Sequence, residues 1–564
     1  MPHLCRFGLV VLCAIGVGAF LVTHAQPLLA DENTPLSRKV LDSQFREKLE
    51  ALAEKCGELG MDQQARQTRD WYLRRASDRQ TLFVLSERNP TKPLASADRK
   101  IHFWHERLME IRTDQAEQLF KLAQAKLESR QATVAYQLLH EVVREDPEHA
   151  EALRILGHNK QSARPASARA IRTRHPLFDW PARKHWRVET THFEISTNHS
   201  TQEAVELGQQ LEDLYVVWSQ IFFPYWSSET ALSRWFESGG PAPPRRKHKV
   251  VLFRDHEEYQ RTLGKASPGH DLSSGIYLYD REVSWLAAGD ETAKRTWIHE
   301  ATHQLFQETV PAKRAVGLKD NFWIVEAVAL YMESMTPYEG YYTVGGFDAL
   351  RLQFARYRLH NQQFYMPLSE LTGIGRDKLQ SHEEIRSLYT QSAGLAHFLI
   401  DGQSGRYQSA VQEYLKLMYA GRQTRNSLTD LTGTTYETLD DEYRKFLAVS
   451  DRDILERLKP PQFVTMLSLG RTDITDKSLK ALVDYKQLDL LDLSFTKITD
   501  EGLQDLADLD NLEDLWLTGT AITDEGIQHL RGLKKLQRLE ITGTKVTPEG
   551  YAALKRSLPA LEEE

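Results

Sequence analysis

From Val464 onward the chain repeats itself every 24 residues, and this periodicity constrains its fold more than any other feature. Val464, Leu488, Leu512 and Leu536 open successive units. Leu467, Leu491, Leu515 and Leu539 recur within them, followed by Leu469, Leu493, Leu517 and Ile541. Thr472, Thr496, Thr520 and Thr544 keep the same register, as do Ile474, Ile498, Ile522 and Val546. Two leucines one residue apart mark a short strand with one buried face. A unit this small cannot cover such a face alone, so each must stack on its neighbour and the structure grows in one dimension.

This spacing resembles the leucine-rich repeat, in which every unit supplies one strand and a returning helix. The resemblance implies a short solenoid over residues 462–560. Asp492, Trp516 and Glu540 hold the same place between the strand leucines in three consecutive units. They are expected to face outward and to form a candidate recognition patch for a protein partner. The alternative use of four units is to cap and stabilise the preceding domain.

The remainder of the 564 residues is too long for one core. Hydrophobic content of 41% and charged content of 27% are those of a soluble globular protein. A formal net charge of -8 excludes a general nucleic-acid binder, which would carry a strong basic excess. Phe7 to Val22 is an apolar run preceded by Arg6. It reads as the core of a secretory signal peptide over residues 1–25, which places the mature chain outside the cytoplasm, in a periplasm or secreted. The alternative is an uncleaved N-terminal membrane anchor. Cys5 and Cys13 fall in this segment, so the mature chain keeps only Cys56 and no intrachain disulfide. Cys56 is expected to be a helix-packing residue.

Residues 35–163 read as helical. Leu119, Leu122, Ala123, Ala135, Leu139, Val142 and Pro147 fall where a tetratricopeptide repeat puts its packing residues. One repeat and a fragment make either a tetratricopeptide-like unit or a helical cap on the next domain. Residues 164–183, basic and with three prolines, read as a linker. Strands are expected at His192–Thr197, Lys249–Phe253, Gly275–Tyr279 and Glu282–Ala287, with helices over Glu203–Phe222 and from Glu291. The expected fold class is multidomain α+β.

The chemistry is carried by His299-Glu300-Ala301-Thr302-His303, the pattern H-E-x-x-H. On a helix, residues four apart share a face, so both imidazoles reach one cation and Glu300 stands beside it. Ile298, Ala301 and Leu305 form the opposing apolar stripe. A second helical segment, Asn321 to Glu333, offers Glu326 as third ligand. Three protein ligands with an open fourth position define a catalytic zinc site rather than a structural one.

These two segments resemble the gluzincins, the clan of thermolysin and the leukotriene-hydrolase-like aminopeptidases, and within it the peptidase MA-like group. That group follows H-E-x-x-H with a Trp-x-x-Glu-Gly-x-Ala-x-Tyr-like helix, matched here by Trp323, Glu326, Ala329 and Tyr331, with Ala327 in place of the usual Gly. The resemblance covers residues 184–451 and implies further roles. Glu333 would support a ligand histidine. Tyr389, in Ser387-Leu-Tyr-Thr-Gln-Ser-Ala-Gly394, would donate to the oxyanion, the alternative being a packing role. His397 reads as structural. The strand that captures a substrate amino terminus in the aminopeptidases has no counterpart here, so exopeptidase activity is not implied. The implied reaction is zinc-dependent hydrolysis of a peptide or protein, with Glu300 as general base. The alternative is a non-catalytic extracytoplasmic binding protein that uses its repeats on a metallopeptidase-like platform.

Overall fold

The computed structural model describes residues 37–85, 96–158, 167–266, 274–289, 291–312 and 316–562. The signal-peptide expectation lies outside the described residues. Helices α1 (Arg38–Glu58), α2 (Arg99–Glu128) and α3 (Ala132–Glu145) open the chain. Cys56 is buried on α1 beside Phe45, Leu49 and Trp104, and that burial pushes its thiol pKa up. The repeat-like positions Leu119, Leu122, Ala123, Ala135, Leu139 and Val142 are all buried. Their cluster closes on Phe223 and Leu232, which belong to the following region. The short helix Ala150–Ile155 stops at Gly157, whose φ of 77° L side chains rarely adopt. A Cβ there would also sit 2.9 Å from Pro241 Cγ. The fragment of a second repeat therefore ends against the loop of residues 239–244.

Strand β1 (Arg79–Phe83) leaves this helical region and joins a sheet built much later in the chain. Residues 164–183, expected as a linker, contribute β2 (Ser167–Ala170) and two buried aromatics, Phe178 and Trp180, packed on Phe253 and Trp285. A four-residue strand of Ser, Ala and Arg with three exposed positions carries no apolar alternation, which is why it reads as a linker. Next come β3 (Trp186–Glu189), β4 (Phe193–Thr197), helix α4 (Thr201–Ile221), β5 (His248–Phe253), β6 (Gly275–Leu278) and β7 (Val283–Ala287). They form a mixed sheet in the order β2-β3-β4-β5-β7-β6, so β6 is an edge. It runs antiparallel to β7, while β4, β5 and β7 are parallel.

Helix α5 (Glu291–Glu308) carries the H-E-x-x-H pattern, and α6 (Trp323–Met332) is buried along its whole length. Strands β8 (Thr336–Tyr338) and β9 (Tyr341–Gly345) make a hairpin on which β1 pairs antiparallel. Helices α7 (Leu350–His360) and α8 (Ile385–Gly405) follow. Three regions of the chain meet at Asp348, whose side chain is fully buried. It accepts from Arg79 at 3.2 Å and from the Lys459 amide at 2.8 Å, while Arg79 also reaches the Arg457 carbonyl at 2.5 Å. Gly346, at φ 100°, lets Arg79 pass, because a Cβ there would lie 2.8 Å from the guanidinium carbon.

The repeats supply four parallel strands, β10 (Met466–Ser468), β11 (Leu490–Asp492), β12 (Asp514–Trp516) and β13 (Arg538–Glu540), paired in the 24-residue register. The strand leucines are at most 4% exposed. Asp476, Asp500 and Asp524 each accept from the amide and hydroxyl of a threonine in the next unit, Thr499, Thr523 and Thr547, at 2.6–2.9 Å. The expected recognition row is only partly open. Ser468, Asp492, Trp516 and Glu540 stand side by side across the strands. Asp492 is fully buried, Trp516 is half-buried with its ring 5.8 Å from Tyr357 of α7, and only Glu540 is exposed. The cause is α7, which lies across the start of this row, a long-range placement that repeat spacing does not encode.

Candidate metal centre

The rotation of α5 is set by bonds to the sheet. Trp297 Nε1 donates to the Ala287 carbonyl at 2.9 Å, and Gln304 Nε2 donates to the Lys249 carbonyl at 3.0 Å. Ser284 Oγ donates to Gln304 Oε1 at 2.8 Å. Ala301 and Leu305 are fully buried and Ile298 packs at the margin of the same core, so the opposite face of the helix presents His299 and His303. Helix α6 is fixed at its start by Asn321, a buried residue at φ 57°. Its side chain accepts from the Tyr414 hydroxyl at 2.5 Å and donates to the Thr424 carbonyl at 3.1 Å. Trp323, Ala327, Ala329 and Tyr331 are all fully buried, and Tyr331 donates to Asp401 at 2.9 Å. The matched positions thus serve to seat α6, from which Glu326 projects.

The structure brings His299, His303 and Glu326 together. The two Nε2 atoms are 3.1 Å apart, and Glu326 Oε2 lies 3.4 Å from His299 Nε2 and 3.6 Å from His303 Nε2. A tetrahedral zinc with ligand bonds of about 2.0–2.1 Å needs donors roughly 3.3 Å apart. The side chains therefore fit the ion. Among the described residues this is the group of three or more His, Cys, Asp or Glu able to hold a metal, and no fourth protein ligand joins it. His299 Nδ1 donates to Glu333 Oε1 at 2.9 Å, which turns Nε2 toward the centre. His303 Nδ1 is buried without a partner.

Burial pulls the His299 pKa down, but hydrogen bonds to Glu326 and Glu333 and the Glu300 charge outweigh it and raise it to about 10. Burial pushes Glu326 up, and the two imidazoles more than reverse this, holding it well below the usual carboxylate range. Glu333 is likewise lowered, against burial, by His299 and Arg351. Glu326 and Glu333 are thus held anionic against the imidazoles they face.

Glu300 Oε2 accepts from the Tyr277 amide of edge strand β6 at 2.7 Å. Tyr389 is half-buried in the first turns of α8. Burial and the Glu326 and Glu300 charges push its phenol well above the ordinary value, so it shares the electrostatic neighbourhood of both carboxylates. His397, read as structural, is buried edge-on to Tyr331 with ring centroids 4.9 Å apart. Burial lowers its pKa to about 3.

Sequence reasoning missed three participants. Arg351 of α7 forks onto Glu333, Nε to Oε2 at 2.8 Å and a terminal nitrogen to Oε1 at 3.2 Å. The Tyr277 amide anchors Glu300, and Tyr279 feels the Glu326 and Glu300 charges under the Arg376 guanidinium, 4.8 Å above its ring. A main-chain donor leaves no sequence signature. Arg351 lies outside the two helices that carry the ligand pattern, and nothing in its spacing marks it.

A family model described as Leucine Rich repeat matches residues 488–507, the second of the four units. The C-terminal region carries leucine-rich repeats. No curated protein matches the chain.

Proposed function

We propose that the chain is a zinc-dependent peptidase working outside the cytoplasm. One observation carries the reading: two imidazoles and a carboxylate with donor atoms 3.1–3.6 Å apart, beside a carboxylate, Glu300, that ligates nothing. A zinc ion bound there supplies Lewis acidity and makes water a nucleophile near neutral pH. The Tyr277 amide fixes the plane of Glu300 through Oε2 and leaves Oε1 to take the proton of the attacking water and pass it to the leaving amine nitrogen. Tyr389 keeps its proton, since burial and the nearby carboxylates raise its pKa, and donates it as a hydrogen bond to the oxygen on which charge develops. Glu333 holds His299 in the tautomer that offers Nε2.

Strand β6 is a sheet edge beside Glu300 and its Tyr277 amide is held by that carboxylate, so an extended peptide would add along the remaining edge groups of β6 and lie next to the base. Peptides and proteins are the substrate class this supports. The Phe7–Val22 run supports export. Among the described residues no helix is long and apolar enough to cross a membrane. A protein partner on the repeats would use the open end of the strand row near Glu540 rather than the whole row. Elemental analysis of the purified protein, followed by incubation with a mixed peptide library, tests the reading. One zinc per chain and cleavage at internal bonds are expected. No bound metal, even after zinc is added, would overturn it.

A further inference from the structure

Helix α7 packs on α8 through Leu352 and Ala355, and two further faces do other work. Taking 100° per residue, Gln353, Arg356 and Tyr357 lie about 140–240° around the helix from Arg351. The first three face the repeats. Gln353 acts as a strand substitute on the free edge of β10, donating to the Met466 carbonyl at 3.1 Å and accepting from the Ser468 amide at 2.7 Å. Arg356 is buried and spends its guanidinium on the carbonyls of Ser468, Leu447 and Phe347. Tyr357 meets Trp516 two units further on. The opposite face carries Arg351, whose fork onto Glu333 fixes the plane of that carboxylate and so the direction of the His299 imidazole.

We infer that Arg351 is a positioning residue for the metal centre and that the leucine-rich repeats brace it by holding α7. The inference rests on the zinc reading above. Its physical content is a strut: the repeats pin one face of α7, and the other sets the orientation of a ligand histidine two bonded contacts away. Glu333 is 6% exposed in its side chain and Arg351 39% exposed, so the carboxylate depends on this one guanidinium, while the guanidinium itself is not a core group. Removing it leaves a buried carboxylate free to turn, and the imidazole loses its fixed acceptor.

The experiment uses the full chain. Zinc affinity is measured by chelator competition for the parent, Arg351→Ala, Arg351→Gln, Arg351→Lys and Gln353→Ala, with Glu540→Ala as the uncovered end of the row. The visible spectrum of the cobalt-loaded proteins and the thermal midpoint are recorded alongside. Arg351→Ala and Arg351→Gln are expected to weaken zinc about 10- to 100-fold and to shift the cobalt spectrum. Arg351→Lys should recover part of the affinity, because it restores the charge without the fork. Gln353→Ala should weaken zinc in the same direction by a smaller factor, and Glu540→Ala should leave it unchanged. A parent that binds zinc with Arg351→Ala and Arg351→Gln within twofold of it overturns this inference and leaves the peptidase reading standing. An effect of Arg351 with none of Gln353 overturns the bracing by the repeats. A parent that binds no zinc overturns both readings together.

Discussion

The solenoid and the candidate metal centre are built by opposite logics. In the repeats every buried position has equivalents in neighbouring units, and each Asp–Thr bond joins residues 23 positions apart. At the candidate metal centre no residue has a stand-in. His299 depends on Glu333, Glu333 on Arg351, Tyr331 on Gln80 from 251 positions earlier, and Glu300 on a main-chain amide of a strand. Redundancy makes the solenoid tolerant and conspicuous. Singular dependence makes the site sensitive and hard to see.

Substitutions should separate the two. Glu300→Gln is expected to cut turnover by about 100- to 10,000-fold with zinc content unchanged, since a base is lost and no ligand is. Metal loss in this variant would show that Glu300 is not the base but part of the ligand set. Leu515→Ala should cost about 2–5 kcal/mol in urea unfolding, and Leu491→Ala the same within about 1 kcal/mol, because both are fully buried at one repeat position. Unequal costs would break the equivalence of the units. Tyr389→Phe should lower turnover about 100- to 1,000-fold without changing zinc content. Parental turnover would make the residue packing only. Asp500→Ala, which strips the acceptor from the Thr523 amide and hydroxyl, should cost about 1–3 kcal/mol and leave zinc affinity as it was. Glu540→Lys should move stability by less than about 0.5 kcal/mol, since the residue is exposed.

The same contrast explains what the chain's letters reveal. The strand leucines of the repeats and β4 are legible because burial on one face writes a period into the sequence, and β5 and β7 because burial on both faces writes a short apolar run. His299, Glu300 and His303 are legible because one helix places them, and Glu326 because a short second helix follows. Arg351 is not, since it meets Glu333 through the packing of α7, and that packing depends on Gln353 and Arg356 finding main-chain groups of β10. Asp492 misled for the same reason. Its place in the repeat reads as an outward one, yet it is buried between Ser468 and Trp516, both met by α7, and accepts from the Ser468 hydroxyl and the Ser494 amide. Burial raises its pKa accordingly. Strand β1 is equally silent, because its partner lies far along the chain.

That distance has a consequence for how the protein is made. Asp78 bonds the Phe347 amide, 269 positions downstream, and Arg79 reaches the Arg457 carbonyl after 378. At roughly 5–20 residues per second, a nascent chain carries β1 unpaired for on the order of tens of seconds before β9 is synthesised, and Arg79 waits longer still. An exposed strand edge is during that interval a site for mispairing. Synthesis that stalls short of Lys459 leaves two carboxylates and a guanidinium in a half-built junction, so the clearance of incomplete chains, and not only the yield of complete ones, follows from where one early strand was sent to pair.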